Sequence, residues 1–255
     1  MILAVHIGNS TTAFALFDGD GKLAVRTTFS TDIHSTRDQY AVQLFSIFQL
    51  YGVDYGRIDG GIIASVVPPV TGALAGAVER LIGKPPLIVG AGIRTGLNIR
   101  ADMHTQLGAD IVAYCVEAVA EYPTPAIVVD FGTAITFSVL QGNTYEGCMI
   151  APGVQVSLEA LSQQAAELPR ISLAPPAALL GRNTVDAMCA GVVYGNASLV
   201  DGVLDRLEEA TQPAAAVIAT GSFADFVVPY CRRKLLRDPE LLLKGLYRVY
   251  QKNAG

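Results

Sequence analysis

Residues 3–18 read LAVHIGNSTTAFALFD. A short apolar run enters a Gly-Asn-Ser turn and a second apolar run leaves it, the pattern of a strand, a tight turn and a returning strand. Turns of this kind, rich in glycine and small hydroxyls, present backbone N–H groups to phosphate. Many are introduced by an aspartate that holds a metal ion against the phosphates; here that position carries His6. Further along, AIVVDFGTAITFSVL (126–140) repeats the layout: strand, acid or histidine, apolar residue, glycine, small polar residues, strand. Half-chain duplication is the economical account. It predicts two related α/β domains facing each other across a cleft, each offering a glycine turn to a nucleoside triphosphate. One such turn alone is only a hairpin turn. Two with matching flanks, plus the strand-then-glycine step at Thr220-Gly221, favour nucleotide binding.

Working outward, strands are predicted at 2–7, 13–18 and 22–29, and a helix over 37–51 from the spacing of Tyr40, Leu44, Ile47 and Phe48. GGIIASVVP (60–68) reads as a buried strand ended by proline, 70–82 as helix and 86–89 as extended. The second half restarts with a helix over 107–121, then strand–turn–strand over 126–140, and a third strand with a loop in 144–153. Helices over 154–166 and 184–209, a strand within 214–222 and two closing helices follow. The expected domains are 1–115 and 116–255.

The chain has 255 residues, 51% apolar and 16% charged, enough for a sizeable core and unlike a disordered chain. A net charge of -5 and a single short basic run, Arg232-Arg233-Lys234, argue against a nucleic-acid surface. Small anions remain candidates, because helix N-termini bind them without net positive charge. The N-terminus lacks a secretory pattern, and no apolar run is read as reaching the roughly 18 residues of a membrane span. Cys115, Cys148, Cys189 and Cys231 are widely spaced with no CxxC pair, which points to reduced packing residues rather than a zinc site. The expectation is a cytoplasmic protein without a membrane or nucleic-acid partner.

With these pieces in order, the chain resembles the type III pantothenate kinases of the actin-like and sugar-kinase superfamily. The likeness runs nearly end to end. It takes in HIGNSTTAFALFDG (6–19), FSTDIHSTRDQY (29–40), ASVVPPVT (64–71), LGAD (107–110) and VDFGTAITF (129–137). It continues through EGCMIAPGVQVSLEALSQQAAELP (146–169), LLGRNTVDAMCAGVVYGNASLVDG (179–202), IATGSFAD (218–225) and LLLKGLYRVYQKN (241–253). The resemblance implies two ribonuclease-H-like domains with mixed sheets flanked by helices, and a homodimer. It implies ATP-dependent phosphorylation of the primary hydroxyl of pantothenate, the first step of coenzyme A synthesis. It also implies a divalent cation, usually magnesium (Mg2+), and a monovalent one, potassium (K+) or ammonium (NH4+).

Carried over residue by residue, the resemblance makes Asp110 the general base that orients the acceptor hydroxyl and takes its proton; alone, a carboxylate after Gly108-Ala109 reads equally as a helix cap. It makes Asp130 a ligand of the monovalent cation, and Thr133 an ATP contact beside Gly132. Read locally, the same segment is a hairpin turn whose aspartate bonds its own backbone. Gly8, Asn9, Ser10 and Thr11 keep the first phosphate cradle, with Ser10 for the commoner threonine. Thr184 aligns with a residue that reaches pantothenate from the partner subunit, or caps the long helix, or both. Gly108 and Ala109 complete the substrate segment.

Three positions depart from the family pattern. His6 stands for an aspartate, Ile111 for an arginine that helps bind substrate, and Ala101 for a tyrosine lining the pantothenate pocket. Ser222 replaces a second glycine after Gly221. A neutral imidazole at 6 suits magnesium poorly, since that ion favours oxygen. The open readings are magnesium held by phosphates and water, a protonated His6 paired with the triphosphate, a softer metal such as manganese or zinc, or a histidine that only bonds within the turn. Ile111 removes a bidentate partner for a carboxylate. His104 either compensates or is a loop residue. Beside the pantothenate kinase stand two alternatives: an impaired paralogue that binds nucleotide or a partner as a regulator, and a kinase for another small hydroxy compound.

Overall fold

The computed structural model describes residues 1–100 and 107–254. The chain divides into two compact units, Met1–Ala120 with Glu240–Gly255, and Glu121–Pro239.

The first unit is built on a five-stranded sheet in the order β3-β2-β1-β4-β5, with β1 at Ile2–Ile7, β2 at Thr11–Phe17, β3 at Leu23–Ser30, β4 at Gly60–Ser65 and β5 at Leu87–Ile88. β1, β2 and β3 pair antiparallel, whereas β1–β4 and β4–β5 are parallel. Strand alternation then sorts the side chains. Leu3, Val5, Ile7, Phe14, Leu16 and Ile63 face one side, packed with Tyr40, Leu44 and Phe48 of α1 (Arg37–Leu50) and Val70, Leu74 and Val78 of α2 (Pro68–Ile82). Ala4, Ala15, Phe17, Ile62 and Ala64 face the other. There they meet Val112, Ala113 and Val116 of α3 (Ala109–Glu121) and Leu243, Leu246 and Val249 of α7 (Leu241–Asn253). Covered on both faces, β1 is apolar at every position but His6, while the edge strand β3 alternates half-buried and exposed. A capping box between Thr36 and Gln39 starts α1. Pro68 starts α2, where its missing N–H costs nothing, so the segment read as a strand end is the helix start.

The second unit repeats this wiring. Its strands β7 (Ala126–Phe131), β8 (Ala134–Gln141), β9 (Thr144–Pro152), β10 (Ala216–Thr220) and β11 (Leu236–Arg237) run in the order β9-β8-β7-β10-β11. β7–β8 and β8–β9 are antiparallel; β7–β10 and β10–β11 are parallel. Each strand thus has a counterpart of the same order and sense in the first unit, which is the duplication read from the two glycine turns. Ile127, Val129, Phe131, Ile135 and Phe137 pack beneath α4 (Val154–Gln164), α5 (Thr184–Ala210) and the short α6 (Ala224–Val227). A further short strand, β6 (Asn98–Ile99), precedes α3.

The predicted elements are present, with three differences. The closing helix α7 packs on the first unit's sheet rather than on the second unit, as a boundary at 115/116 would have it. β6 and β11, two residues each, escape detection because two residues show no periodicity. And α5 does meet the length and composition of a membrane span, with a mean hydropathy of 1.3 over 18 residues. Half of that window is buried, and Met188, Val192, Ala197, Val200 and Leu204 sit in the second unit's core, so α5 is a core helix. Within its CAGVVYG run, Cys189, Ala190, Val192 and Val193 are buried inside the chain itself. The basic run at 232–234 is absorbed by the acidic flank of α5: Arg233 pairs with Asp205 and Glu208, both at 2.7 Å. All four cysteines are free thiols, Cys115 and Cys189 buried and the other two half-buried.

Candidate active site

The first glycine turn closes the β1–β2 hairpin. Ile7 and Thr12 are the last paired residues, and the Gly8 N–H donates to Thr11 O at 3.0 Å. Asn9, Ser10 and Thr11 are exposed at its tip, as a phosphate cradle requires. Glycine is needed at 8: an added Cβ would stand 2.9 Å from Thr11 O and 3.3 Å from the His6 ring. Thr31, unremarked in the sequence reading, clamps the turn. Its hydroxyl donates to Gly8 O at 2.7 Å and lies 2.8 Å from the hydroxyl of the buried Thr12.

His6 lies across from Ala13 and on the same sheet face as Ala4, the face that α3 and α7 cover. Ala13, Leu107 and Ala109 all pack on that cluster, which puts the start of α3 on this face of the sheet. His6 as a whole is half-buried, but its Nε2 is fully buried and has no hydrogen-bond partner. Nε2 thus makes no bond within the turn. Burial pushes the imidazole below its ordinary value, and the Asp110 carboxylate pulls it only part of the way back, so the ring is neutral at pH 7.

Gly108 opens α3, its carbonyl accepting from Val112 N–H at 3.1 Å. Asp110 sits in the first turn, and its Oδ1 accepts from the Ile111 N–H at 2.8 Å. The carboxylate folds back over Gly108, where a Cβ would collide with it; the glycine makes room for the acid. Ile111 is half-buried beside it. Ala101 and His104 lie outside the described residues.

The second turn closes β7–β8. Gly132 N–H donates to Ala134 O at 3.1 Å, and Gly153 N–H donates to Thr133 O at 3.1 Å. Thr133 is exposed at the tip and Asp130, half-buried, precedes it on the sheet face opposite the helices. Asp130 pairs across to Thr136 and Thr220. Two glycines outside the predicted set hold this turn. A Cβ on Gly153 would strike Thr133 O, and one on Gly221, whose φ is 91°, would strike the Asp130 carboxylate and the Phe131 backbone. Ser222 follows it, exposed. Thr184 is exposed at the first position of α5, and the cap is its neighbour Asn183, whose Oδ1 accepts from Asp186 N–H at 2.9 Å. By topology, His6-Ile7-Gly8 and Asp130-Phe131-Gly132 are counterparts.

Among the described residues, no group of three or more His, Cys, Asp or Glu could enclose a metal ion. Any divalent ion at either turn would take most of its ligands from nucleotide oxygens and water.

Two hairpin turns stand at equivalent places in a duplicated α/β fold, and comparison with known proteins supplies the family. The family model for type III pantothenate kinase matches residues 2–206. A type III pantothenate kinase from Bacillus cytotoxicus is 39% identical over 255 residues, covering 100% of this chain and 97% of that protein. The chain belongs to the type III pantothenate kinase family. Solved structures support the fold. The activator of 2-hydroxyisocaproyl-CoA dehydratase from Clostridium difficile, with bound ADPNP, matches at a TM-score of 0.60 and 8% identity over 99% of this chain and 96% of that one. A ROK family glucokinase from Streptomyces griseus, in complex with glucose and AMPPNP, matches at 0.52 and 14% over 100% and 99%. At such identities these place this family member in the actin-like and sugar-kinase fold and carry nothing more.

One ion pair of this family member, a buried acid with a half-buried base, was not legible in its sequence. Glu117 of α3, 4% exposed, accepts from Arg248 Nε of α7 at 2.7 Å. The two are 131 positions apart, and no local pattern joins them.

Proposed function

We propose that this protein transfers the γ-phosphoryl group of ATP to the primary hydroxyl of pantothenate, giving phosphopantothenate for coenzyme A synthesis. The observation that carries the reading is family membership over essentially the whole chain, in a molecule that keeps both glycine turns and the acid at the start of α3. In this reading Asp110 is the general base. Its carboxylate is half-buried and, among the described residues, is held by one backbone N–H, so it can turn to accept the hydroxyl proton. Gly8, Asn9, Ser10 and Thr11 receive phosphate through backbone N–H groups and hydroxyls, and Gly132 and Thr133 do so in the second turn. Asp130 contributes a hard oxygen to the monovalent cation, potassium or ammonium. The divalent ion, when bound with the nucleotide, neutralises charge that develops on the phosphoryl oxygens.

Gly108, Ala109, Asp110, Ile111, Ala101 and Thr184 form the proposed pantothenate contacts, Thr184 acting from a second copy in a homodimer. Ile111 offers no charge to the pantothenate carboxylate, so affinity for the acceptor rests more on the pocket's shape than in relatives with arginine there. The enzyme is placed in the cytoplasm, where ATP and reduced thiols are both available.

The test is ADP release from ATP with potassium, magnesium or manganese, and pantothenate. Release that requires pantothenate and falls about 10²–10⁴-fold in Asp110→Asn is the expected result. Wild-type protein that releases no ADP with pantothenate under either metal overturns the assignment.

A further inference from the structure

The first glycine turn is pinned by a residue from outside it. Thr31, the first residue after β3, donates its N–H to Ser10 O at 3.0 Å and its hydroxyl to Gly8 O at 2.7 Å. Its one hydroxyl proton goes to Gly8, so the buried Thr12 hydroxyl, 2.8 Å away, is the donor to Thr31 Oγ1. The two carbonyls that Thr31 holds belong to the Gly8–Asn9 and Ser10–Thr11 peptide planes. A trans peptide points its N–H opposite to its C=O. With both carbonyls drawn to Thr31, the N–H groups of Asn9 and Thr11 are both turned away from it. N–H groups fixed on one side of a turn in this way make an anion-binding concavity. The clamp is itself anchored. The buried Tyr40 of α1 donates its hydroxyl to Asp32 O at 2.6 Å, and the Asp32 carboxylate accepts from the His34 N–H and the Ser35 hydroxyl, both at 2.9 Å.

The duplication shows that the hydroxyl belongs to the first turn alone. Ser30 at the end of β3 pairs with Thr11, and Pro152 at the end of β9 pairs with Ala134, so Thr31 and Gly153 are counterparts. Gly153 makes the matching backbone bond, to Thr133 O at 3.1 Å. It has no room for a side chain: a Cβ there would strike Thr133 O and stand 2.7 Å from Gly132 O. The second turn has a glycine where the first has a hydroxyl aimed at its glycine carbonyl. We propose that Thr31 is a positioning residue for the nucleotide phosphates. It fixes the Asn9 and Thr11 N–H groups as phosphate donors, and it draws the Gly8 carbonyl, whose negative end repels phosphate, to the opposite side of the turn. Donors held in place before the nucleotide arrives carry no ordering cost on binding. The role needs the hydroxyl and not the methyl group, so serine fulfils it and valine, of the same shape as threonine, does not. The inference rests on the nucleotide-binding reading of this turn and adds the residue that sets its donor geometry.

The experiment is calorimetric binding of AMPPNP, with magnesium and with manganese, to full-length wild type, Thr31→Val and Thr31→Ser. The expected result is a dissociation constant raised about tenfold or more in Thr31→Val, the scale of one lost hydrogen bond, and within about threefold of wild type in Thr31→Ser. In the ADP-release assay the KM for ATP is expected to rise with it while the KM for pantothenate stays within about twofold, a split that general loosening of the fold does not produce. In wild type, the amide resonances of Asn9 and Thr11 are expected to shift on addition of AMPPNP. Unchanged AMPPNP affinity in a folded Thr31→Val overturns the proposal, as does a serine variant no better than valine. So do Asn9 and Thr11 resonances that stay in place at saturating AMPPNP, whether or not Thr31→Val folds. ADP release on the same samples separates the two readings. AMPPNP binding that depends on the Thr31 hydroxyl, without pantothenate-dependent turnover, supports the positioning role and sinks the kinase; pantothenate-dependent turnover with an unchanged KM for ATP in Thr31→Val does the reverse.

Discussion

At the scale of single residues, the site is defined by what glycine leaves out and by what histidine brings in. Gly8, Gly153 and Gly221 are each placed where a methyl group would strike turn backbone or the Asp130 carboxylate, so the turns depend on them sterically. His6 carries a pH signature of its own. Its imidazole is held below its ordinary value in the folded chain, first by burial and against the pull of Asp110. As pH falls through about 6.5, the unfolded chain takes up the proton before the folded one does, so this contribution to stability is present above that pH and is lost on acidification toward the folded value. The slope is at most about 1.4 kcal/mol per pH unit. Urea midpoints at pH 7.5 and 5.5 are expected to differ less in His6→Asn than in wild type; an equal difference in both proteins would assign the pH dependence to other groups.

At the scale of elements, the pairing of α3 with α7 matters most to the first site, because α3 begins with Asp110. The two helices approach so closely at Gly245 that a Cβ there would collide with the Ala113 backbone. Nearby, the buried Glu117 and the half-buried Arg248 close the same contact with an ion pair. Gly245→Ala has to push the helices apart, and overpacking of this kind costs about 1–3 kcal/mol. The expected outcome is a lower urea midpoint with an unchanged m-value, and a weakened pantothenate-dependent rate because Asp110 moves with α3. An unchanged midpoint would show that α7 shifts without cost.

At the scale of the whole molecule, the first unit is discontinuous in sequence. Leu243, Leu246 and Val249 of α7 are buried on its sheet, each worth roughly 1.5–3 kcal/mol. Their sum rivals the whole stability of an ordinary domain, about 5–15 kcal/mol. A chain ending at 239 is expected to lose the first unit's cooperative unfolding transition and to recover it when a peptide of residues 240–254 is added; cooperative unfolding without the peptide would deny α7 this role. The proposed homodimer makes its own prediction. Leu179, Leu180 and Val185 are 65%, 82% and 45% exposed around the start of α5, beside Thr184. Sedimentation is expected to give twice the 26.9 kDa chain mass, and Leu180→Asp to return the monomer. A wild-type monomer at assay concentration would remove Thr184 from the proposed substrate contacts.

By itself the sequence determined the two glycine turns, the flanking strands and therefore the duplication, because hairpins and amphipathic helices are local patterns written within a few residues. VHIGN and VDFGT place His6 and Asp130 as counterparts before any coordinates are known. Only the tertiary structure decided that α7 belongs with the first sheet, that Arg248 answers Glu117, and that Asn183 rather than Thr184 caps α5. It alone showed Thr31 clamping Gly8 and the His6 nitrogen buried without a partner. Each of these depends on which face of a strand a helix covers or on side chains distant along the chain, and burial and Coulomb interaction act through space, where sequence separation has no bearing.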